Sequence, residues 1–589
     1  MNFLRNFLAS ILGTLVAMIL VVILFFIAIA GMASSVGLEE VESAVEPREK
    51  SVLELEMNVP IYDNVAEVQS LEGSLGLAPD TQELKTLLDG IKAAKTNEKV
   101  EGIVLKSPYV SAGWAQTKAI RDALVDFKES GKFIYAYADF YTQQGYYMAS
   151  VADSLFVHPM GGVEFKGLAS EVMYYKDFQE KYGFKMEVIR HGKYKSAVEP
   201  YLESEMSEAN RTQISVLLTS IWGNIRQDIA QSRNLSEDRI DAIAEDLLAN
   251  LPKEAVAVNL VDDLLYEKDF KSKINAALDQ EEDKKIRTVS ARQLAAIAEK
   301  ELKGIRNRIA IIYAQGPVIY GEGSENTIGQ EVFVDALEEA TKNKRVKAIV
   351  LRVDSPGGSA LTSDIIWNAI EKAKAKKPVV VSMGNVAASG GYYIACNADE
   401  VFANPMTITG SIGVFATVPN LKGFTDDIGI NAEQVLTHKN ALGYSVFEEP
   451  TASFRSTTKA GIEYVYETFK DRVAAGREMP LDKVEAIAQG RVWSGNQAVD
   501  NGLVDQLGDL NKAIAAAAAR AEIDEYRIRS YPKIEPELED FLGFGGSFGA
   551  LESQLLSGLP QGIVEFLHQM QNTEKVQIQT QLPYAIEIR

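Results

Sequence analysis

The sequence contains two copies of one pattern. The stretch Val100–Lys106 (VEGIVLK) matches Val346–Arg352 (VKAIVLR), and Gly145–Asp153 (GYYMASVAD) matches Gly391–Asp399 (GYYIACNAD). Both matches have the same offset of 246 positions, as from residue 100 to residue 346. Self-similarity at a constant offset indicates a duplicated structural unit. The 589 residues are therefore expected to fold as two homologous domains and not as about four unrelated ones.

The duplication divides the chain into four parts. We predict an N-terminal stub with a membrane anchor at 1–46, a first repeat at 47–307 and a second repeat at 308–535. Residues 536–589 match neither repeat and form a C-terminal appendix of unassigned role. The stretch 281–307 is rich in Lys, Glu and Ala, which predicts a helical connector between the repeats.

Each repeat alternates short apolar runs with longer amphipathic stretches. In the second repeat, residues 309–313, 348–352 and 379–383 are short, strongly apolar runs that predict buried strands. Residues 363–376, between the last two runs, predict a helix. Strands that alternate with helices are typical of a parallel sheet with helical cover. The fold class is therefore predicted as α/β, with two tandem parallel-sheet repeats.

The N-terminus carries an apolar segment long enough to cross a bilayer. Residues 11–33 contain no charged side chain, and a membrane span needs about 20 apolar residues. A cleavable signal peptide has a shorter apolar region, although the small residues at 28–33 keep that alternative open. Arg5 precedes the segment and the first basic residue after it is Arg48. The positive-inside rule predicts a cytoplasmic N-terminus and repeats on the outer, periplasmic or extracytoplasmic side.

The composition excludes several classes of function. Asp plus Glu total 82 against 60 Lys plus Arg, so the net charge is -22, which opposes nucleic-acid binding. A single cysteine, Cys396, excludes an internal disulfide and cysteine-based zinc sites. We expect no cofactor and no metal. His191 and His438 occupy equivalent repeat positions, which indicates structural roles and opposes a Ser–His–Asp triad.

Two motifs in the second repeat stand at the ends of predicted strands. Asp354–Ser359 (DSPGGS) contains a glycine pair that permits a sharp turn and presents backbone N–H groups. In Ala387–Tyr393 (AASGGYY), Ser389 lies between small residues at a strand-to-helix junction. An exposed serine there, next to a helix N-terminus, suits nucleophilic attack and oxyanion stabilisation. A serine that merely caps the helix is the common alternative.

A third segment, Val188–Pro200 (VIRHGKYKSAVEP), offers a basic residue. Lys193 and Lys195 are two positions apart, so they share one face of a strand and diverge on a helix. The spacing alone does not choose between them, and a lysine in such a run is usually a solvated surface charge.

Together these segments resemble the signal peptide peptidases of the long, two-repeat, membrane-anchored type. These are serine peptidases with a Ser–Lys dyad on a fold similar to the Clp protease proteolytic subunit and to crotonases. The resemblance extends from the anchor to about residue 530. It is carried by the motifs DSPGG (354–358), ASGGYY (388–393), TGSIG (409–413), YKSAVEP (194–200), GRVWSG (490–495) and GLVD (502–505).

The resemblance implies that Ser389 is the nucleophile and Lys195 the general base. The duplication provides a separate check, because Ser389 corresponds to Gln143 in the first repeat and Lys195 corresponds to Leu442 in the second. Each repeat keeps one half of the dyad. This complementarity is expected of one composite site built between the two repeats.

The implied mechanism makes further demands on the site. A lysine acts as a base only when its pKa lies far below about 10.4, so we expect Lys195 to be neutral in a largely apolar pocket. The N–H groups of Gly390 and of Gly357 or Gly358 are expected to hold the oxyanion. Ser411 is a candidate to orient Lys195.

Other assignments of these side chains stay open. Ser411 is also an alternative nucleophile, since its first-repeat counterpart is Phe165. Ser355 is a weaker candidate. Lys193 is expected at the surface, and Cys396 is expected to serve packing.

Two alternatives to a peptidase remain at this point. A crotonase-like acyl-CoA enzyme would use the glycine N–H groups to hold a thioester enolate, and a non-catalytic membrane scaffold would need no intact dyad. For the peptidase, the resemblance implies that the substrates are cleaved signal peptides or other membrane-proximal peptides. It also implies assembly into a homotetramer.

Overall fold

A computed structural model describes most of both repeats. The described residues are Gly13, 46–65, 81–106, 108–324, 326–532 and 579–581. Among them, no helix combines the length and apolarity needed to cross a bilayer. The predicted anchor at 11–33 lies outside the described residues except for Gly13, so it stays a prediction.

The first half of the chain alternates strands and helices, as predicted. Its strands are β1 (Ser51–Leu55), β2 (Ile61–Tyr62), β3 (Gln82–Glu83), β4 (Val100–Leu105), β5 (Phe133–Ala138), β6 (Ser154–Val157), β7 (Lys185–His191), β8 (Asp263–Leu264) and β9 (Arg287–Val289). Its helices are α1 (Leu84–Thr96), α2 (Trp114–Lys128), α3 (Gln143–Ala149), α4 (Lys176–Tyr182), α5 (Glu199–Leu202), α6 (Glu208–Arg233), α7 (Glu237–Glu245), α8 (Pro252–Ala257), α9 (Glu267–Ala277) and α10 (Ala291–Glu301), with a 3₁₀ turn at Ser196–Val198.

The second half follows the same order and adds several short strands. Its strands are β10 (Arg308–Gln315), β11 (Val318–Ile319), β12 (Gly323–Ser324), β13 (Thr327–Gly329), β14 (Val346–Ser355), β15 (Gly357–Ser359), β16 (Val379–Ala388), β17 (Glu400–Ala403), β18 (Ile408–Gly410), β19 (Val414–Asn420), β20 (Val492–Ser494), β21 (Gln506–Leu507), β22 (Arg527–Tyr531) and β23 (Gln579–Gln581). Its helices are α11 (Gln330–Lys342), α12 (Ala360–Lys374), α13 (Gly390–Ala395), α14 (Lys422–Asp427), α15 (Ala452–Gly476), α16 (Leu481–Ile487), α17 (Gly495–Asn501) and α18 (Leu510–Arg520).

The two main sheets share one topology. The first sheet has the order β8-β6-β5-β4-β1-β9, and all of its pairs are parallel. The second sheet contains the equivalent order β21-β17-β16-β14-β10-β22, also parallel, and extends from β16 through β18 to β20. The predicted α/β repeats with parallel sheets are therefore confirmed. Their apolar strands are buried because helices cover a parallel sheet on both faces.

The stretch predicted as a helical connector differs from expectation. Residues 287–289 form β9, which pairs with β1 at the edge of the first sheet, and only 291–301 are helical. The segment Arg-Thr-Val is too short and too polar to stand out in the sequence, because an edge strand is only partly buried and its pairing is set by tertiary contacts.

A third sheet joins the repeats. Strand β7 of the first repeat pairs antiparallel with β19 of the second in a continuous register from His191 opposite Val414 to Lys185 opposite Asn420. Ala388, at the end of β16, lies in an apolar core that is otherwise built mainly from first-repeat side chains. The two repeats are therefore packed as one body around the end of β16.

A buried ion pair also links the repeats. The Arg352 guanidinium donates to both Asp63 oxygens, at 2.9 and 3.0 Å, and further to Ser382 Oγ and the Met383 carbonyl, each at 2.8 Å. Both charged side chains are nearly inaccessible to solvent. Removing one partner of such a pair leaves an uncompensated buried charge, which typically costs about 3–5 kcal/mol.

Candidate active site

Ser389 occupies a strained turn between β16 and α13. Its φ of 55° and ψ of -115° are unusual for a residue with a side chain, and such a conformation costs about 1–3 kcal/mol. The turn is fixed because the Ser389 N–H donates to the Gly410 carbonyl at 2.8 Å and the side chain is fully buried. The hydroxyl makes no capping hydrogen bond to α13, so the plain helix-cap alternative does not describe this serine.

Lys195 brings its amine to the Ser389 hydroxyl. Nζ lies 2.9 Å from Ser389 Oγ, 3.0 Å from Ser411 Oγ and 3.1 Å from the Ser411 carbonyl oxygen. The side chain is fully buried, and the Phe415 ring centroid lies 5.8 Å from Nζ. Lys195 follows β7, so the β7–β19 pairing carries this residue of the first repeat into the second. The structure therefore unites the two predicted halves of the dyad.

Burial controls the charge of this amine. It lowers the pKa of Lys195 from its ordinary value of 10.5 to about 7, and no neighbouring charge contributes. A cation without a carboxylate partner is costly in an apolar pocket, so the neutral form is favoured. The neutral amine has a lone pair that can accept the serine proton.

Two glycines make room for the lysine stem. A Cβ on Gly490, where φ is +79°, would lie 2.6 Å from the Lys195 Cβ and 2.7 Å from its Cα. A Cβ on Gly413 would lie 2.8 Å from the Gly490 Cα and 3.2 Å from the Lys195 Cδ. Both glycines belong to motifs of the family resemblance, but the sequence did not reveal that they form the walls of the lysine channel.

Ser411 provides two further contacts to the Lys195 amine. It also has a positive φ, 51°, and its N–H donates to the Arg491 carbonyl at 2.7 Å. Its hydroxyl and its carbonyl both contact Lys195 Nζ. Ser411 therefore occupies the position expected of a lysine-orienting group.

The glycine turn lies beside the serine turn. Ser355, at the end of β14, pairs with Ala387 of β16, and a Cβ on Gly391 would lie 2.7 Å from the Ser355 carbonyl oxygen. The Gly357 N–H donates to Ser355 Oγ at 3.2 Å, and Gly357 and Gly358 have φ of +95° and +154°. Gly390 is the first residue of α13, where backbone N–H groups have no partner within the helix.

Asp354 ties these two turns together, a function that sequence reasoning did not assign. Its carboxylate accepts from the Val386 N–H at 2.9 Å and from Asn385 Nδ2 at 3.1 Å, three and four residues before Ser389. Burial, together with the nearby negative charge of Asp63, raises the pKa of Asp354 to about 7. Asp354 also precedes Ser355, so one residue supports both sides of the site.

The positions equivalent to Ser389 in the first repeat and to Lys195 in the second hold no second dyad. Gln143, the counterpart of Ser389, uses its side chain to bind the backbone of 166 and 167 at 2.8–2.9 Å. Leu442, the counterpart of Lys195, is 45% exposed. The described residues thus place one Ser–Lys pair at the junction of the two repeats.

The remaining candidates take structural positions. Lys193 is exposed, with Nζ 5.4 Å from the Tyr194 ring centroid, so the structure separates it from Lys195. His191 stacks on Tyr466 at 4.1 Å between ring centroids. Cys396 is buried, and burial raises the pKa of its thiol to about 12. Neither His191 nor Cys396 forms a hydrogen bond with Ser389.

The family model for peptidase family S49 matches residues 113–281 and 371–524, one region in each repeat. Protease 4 of Haemophilus influenzae is 35% identical over 440 residues, which cover 72% of this chain and 71% of that protein. The chain belongs to peptidase family S49. The predicted family and the predicted two-repeat type are confirmed.

Other S49 relatives extend the comparison. Protease 4 of Salmonella typhi is 33% identical over 77% of this chain and 75% of its own length. The chloroplastic serine protease SPPA of Arabidopsis thaliana is 33% identical over 75% of this chain and 66% of its own length. A candidate signal peptide peptidase of Enterococcus faecium is 32% identical over 43% of this chain and 74% of its own length. The chain is therefore a serine peptidase. This confirms the predicted activity and disfavours the acyl-CoA enzyme and the non-catalytic scaffold.

Proposed function

We propose that Ser389 is the nucleophile and Lys195 the general base of this S49 peptidase. The observation that carries the proposal is the 2.9 Å distance between the buried Lys195 amine and the hydroxyl of Ser389, whose backbone is strained. No neighbouring charge contributes to the pKa of this amine. Neutral Lys195 accepts the proton of Ser389 as Oγ attacks the peptide carbonyl. The resulting ammonium protonates the leaving amine, and the neutral lysine then activates the water that hydrolyses the acyl-enzyme.

The oxyanion is held by Gly390 together with a glycine of the pair Gly357 and Gly358. Support comes from the adjacency of the two turns across Ser355 and from the position of Gly390 at a helix N-terminus. Backbone donors that are fixed before reaction stabilise the developing charge without reorganisation, and one such donor is typically worth about 10²–10³ in kcat. Ser411 keeps the lysine lone pair directed at Ser389 Oγ.

Substitutions at the dyad test this assignment. Ser389→Ala and Lys195→Ala are expected to abolish cleavage of a fluorogenic peptide, and Lys195→Arg is expected to be equally inactive because arginine is not a base near neutral pH. Lys193→Ala serves as the matched control and should retain wild-type activity. A fluorophosphonate probe should label the wild type at Ser389 and fail to label Ser389→Ala. Full activity of either alanine variant would overturn the assignment.

We propose that the substrates are cleaved signal peptides or other membrane-proximal peptides. The name of the Enterococcus relative and the apolar segment at 11–33 support this. An anchor would raise the effective concentration of the peptidase near membrane-embedded peptides. We further propose a single-pass topology with a cytoplasmic N-terminus and repeats on the outer side. A membrane-impermeant lysine reagent should then label the repeats in intact cells, and labelling only after lysis would reverse the orientation.

We propose that the chain assembles as a homo-oligomer, by resemblance a tetramer. Within one chain, β7 of the first repeat pairs with β19 of the second. The converse segments, 432–438 equivalent to β7 and 168–174 equivalent to β19, belong to none of the described strands. Residues 426–443 are exposed throughout, and Val435 is fully accessible. The segment equivalent to β7 in one chain is suited to pair with the segment equivalent to β19 in a neighbouring chain. Such pairing would repeat the β7–β19 interface around a closed ring of chains.

The oligomer is tested by placing a charge in the exposed segment. Val435→Lys should lower the mass measured by light scattering from that of several copies to that of one. Val125→Lys, at an exposed valine of α2, is the matched control and should leave the mass unchanged. A wild-type protein that is monomeric, or a Val435→Lys protein that assembles normally, would contradict this interface.

A further inference from the structure

A strand from the C-terminal appendix lies inside the third sheet. Strand β23 is antiparallel to β15 on one side, with Gly357 opposite Gln581 and Ser359 opposite Gln579. On its other side it is antiparallel to β19, with Phe415 opposite Gln579. The sequence of residues 576–581, VQIQTQ, alternates in the manner of a strand. The appendix therefore supplies a strand held between two elements of the second repeat.

This strand runs along the dyad. Strand β15 begins at Gly357, two residues after Ser355, and Ser355 pairs with Ala387 two residues before Ser389. On the opposite edge, Phe415 lies beside the amine of Lys195. The space between β15 and β19, which we call the strand slot, is therefore bordered by the glycine turn and by the lysine pocket.

The direction of the strand is that of a substrate. Gln581 is opposite Gly357, at the end of β15 nearer the serine turn, and Gln579 is opposite Ser359, at the farther end. A peptide with this polarity reaches the nucleophile with bonds that lie C-terminal to the paired residues. Residues 579–581 thus pair with β15 in the polarity of an extended peptide whose acyl side lies along β15.

We propose that the C-terminal segment of this chain is a tethered competitor of substrate in the strand slot. The proposal rests on the proposed function, because the slot borders the proposed dyad. Pairing through the backbone gives affinity that depends little on side chains, so one slot accepts both the segment and diverse extended peptides. A segment on the same chain also binds intramolecularly, which raises its effective concentration above that of a free peptide. Substrate must displace it before cleavage.

The test removes backbone donors from β23 while keeping the chain length. Proline has no N–H, and adjacent strand residues direct their N–H groups to opposite neighbours, so Gln579→Pro/Thr580→Pro weakens pairing with both β15 and β19. Asn572→Pro/Thr573→Pro, seven residues upstream, is the matched control. We expect the first variant to show a roughly tenfold lower KM for a fluorogenic peptide with kcat unchanged, and the control to match the wild type.

Two further measurements make the outcome decisive. A synthetic peptide of residues 573–589 should inhibit the Gln579→Pro/Thr580→Pro enzyme competitively, whereas a scrambled peptide should not. On a Ser389→Ala background, the labelled synthetic peptide should bind more tightly to the protein with the two prolines than to the protein whose C-terminal segment is unmodified. An unchanged KM together with no binding of the peptide would overturn the proposal. Absence of fluorophosphonate labelling at Ser389 in all of the proteins that retain Ser389 would instead overturn the proposed function, so the two failures are distinguishable.

Discussion

The loss of activity at low pH tests Lys195 and the Asp354 carboxylate of the serine turn together. Lys195 must be neutral to act as a base, and burial lowers its pKa to about 7. Asp354 must be ionised to accept from both Val386 and Asn385, and its pKa is raised to about 7 by burial and by Asp63. The Asp354 carboxylate also experiences the positive charge of Arg352, which opposes that rise. Both groups must be deprotonated for activity, so activity is lost as pH falls and either group takes up a proton.

The magnitudes follow from these two pKa values. A single group with a pKa near 7 is about 90% deprotonated at pH 8 and about 10% at pH 6. Two such groups leave about 80% of the enzyme competent at pH 8 and about 1% at pH 6, a loss close to a hundredfold. An ordinary lysine would be only about 0.4% neutral at pH 8, so an unshifted base would give almost no activity there.

The assay is kcat/KM for a fluorogenic peptide between pH 5 and pH 9, measured for the wild type and for Asp354→Asn. On logarithmic axes the wild-type slope should approach 2 below pH 6, whereas Asp354→Asn should show a slope of 1 and a lower plateau. The plateau falls because one amide oxygen cannot replace both carboxylate oxygens. KM should change little, since Asp354 acts through the serine turn. Equal slopes in the two proteins would refute the role of Asp354, and a wild-type midpoint above pH 9 would refute the neutral lysine.

Three further predictions concern the strain and the packing of the site. Ser389→Gly should raise the free energy of unfolding by about 1–2 kcal/mol relative to Ser389→Ala, because glycine adopts a positive φ without strain; chemical denaturation of the two inactive proteins would measure this. Lys195→Met should abolish activity yet raise the free energy of unfolding, on the order of 4 kcal/mol at neutral pH. The reason is that between pH 7 and 10.5 only the unfolded lysine binds a proton. The gain should persist below pH 7 and vanish as pH rises to 10.5. An equal gain at pH 10.5 would contradict that explanation. Gly490→Ala should lower kcat about a hundredfold in the same peptide assay, because the added Cβ displaces the lysine stem. Gly502→Ala is the control and should keep kcat near the wild-type value. Gly502 also has a positive φ, but its added Cβ would meet only the flexible end of Met479.

Much of this architecture could be predicted from the sequence because the duplication supplies internal comparisons. The apolar runs predicted the central strands, since strands buried on both faces need continuous apolar character. The correspondence of Ser389 with Gln143, and of Lys195 with Leu442, indicates a composite site from the sequence alone. These inferences depend on local patterns and on repeat positions, which a single sequence contains.

The parts that the sequence did not predict depend on contacts between distant segments. The family resemblance implied Lys195 and not Lys193, but the physical reason is where β7 ends against β19, a register that spacing alone does not determine. The walls formed by Gly413 and Gly490 become visible only when the lysine stem lies between them. Likewise β23 has no counterpart in either repeat, so the comparison of the repeats that supported the dyad could not locate this strand.

The division of the dyad between the repeats has a consequence for biosynthesis. A nascent chain that has folded only its first repeat carries Lys195 but no nucleophile, and N-terminal domains generally fold first during synthesis. With Lys195 as the proposed base of Ser389, hydrolytic capability arises only when β19 has been made and has paired with β7. On the proposed mechanism the nascent enzyme is therefore latent until the two repeats have paired. On the same proposal Gln143, at the position equivalent to Ser389, is free to hold the backbone of residues 166 and 167.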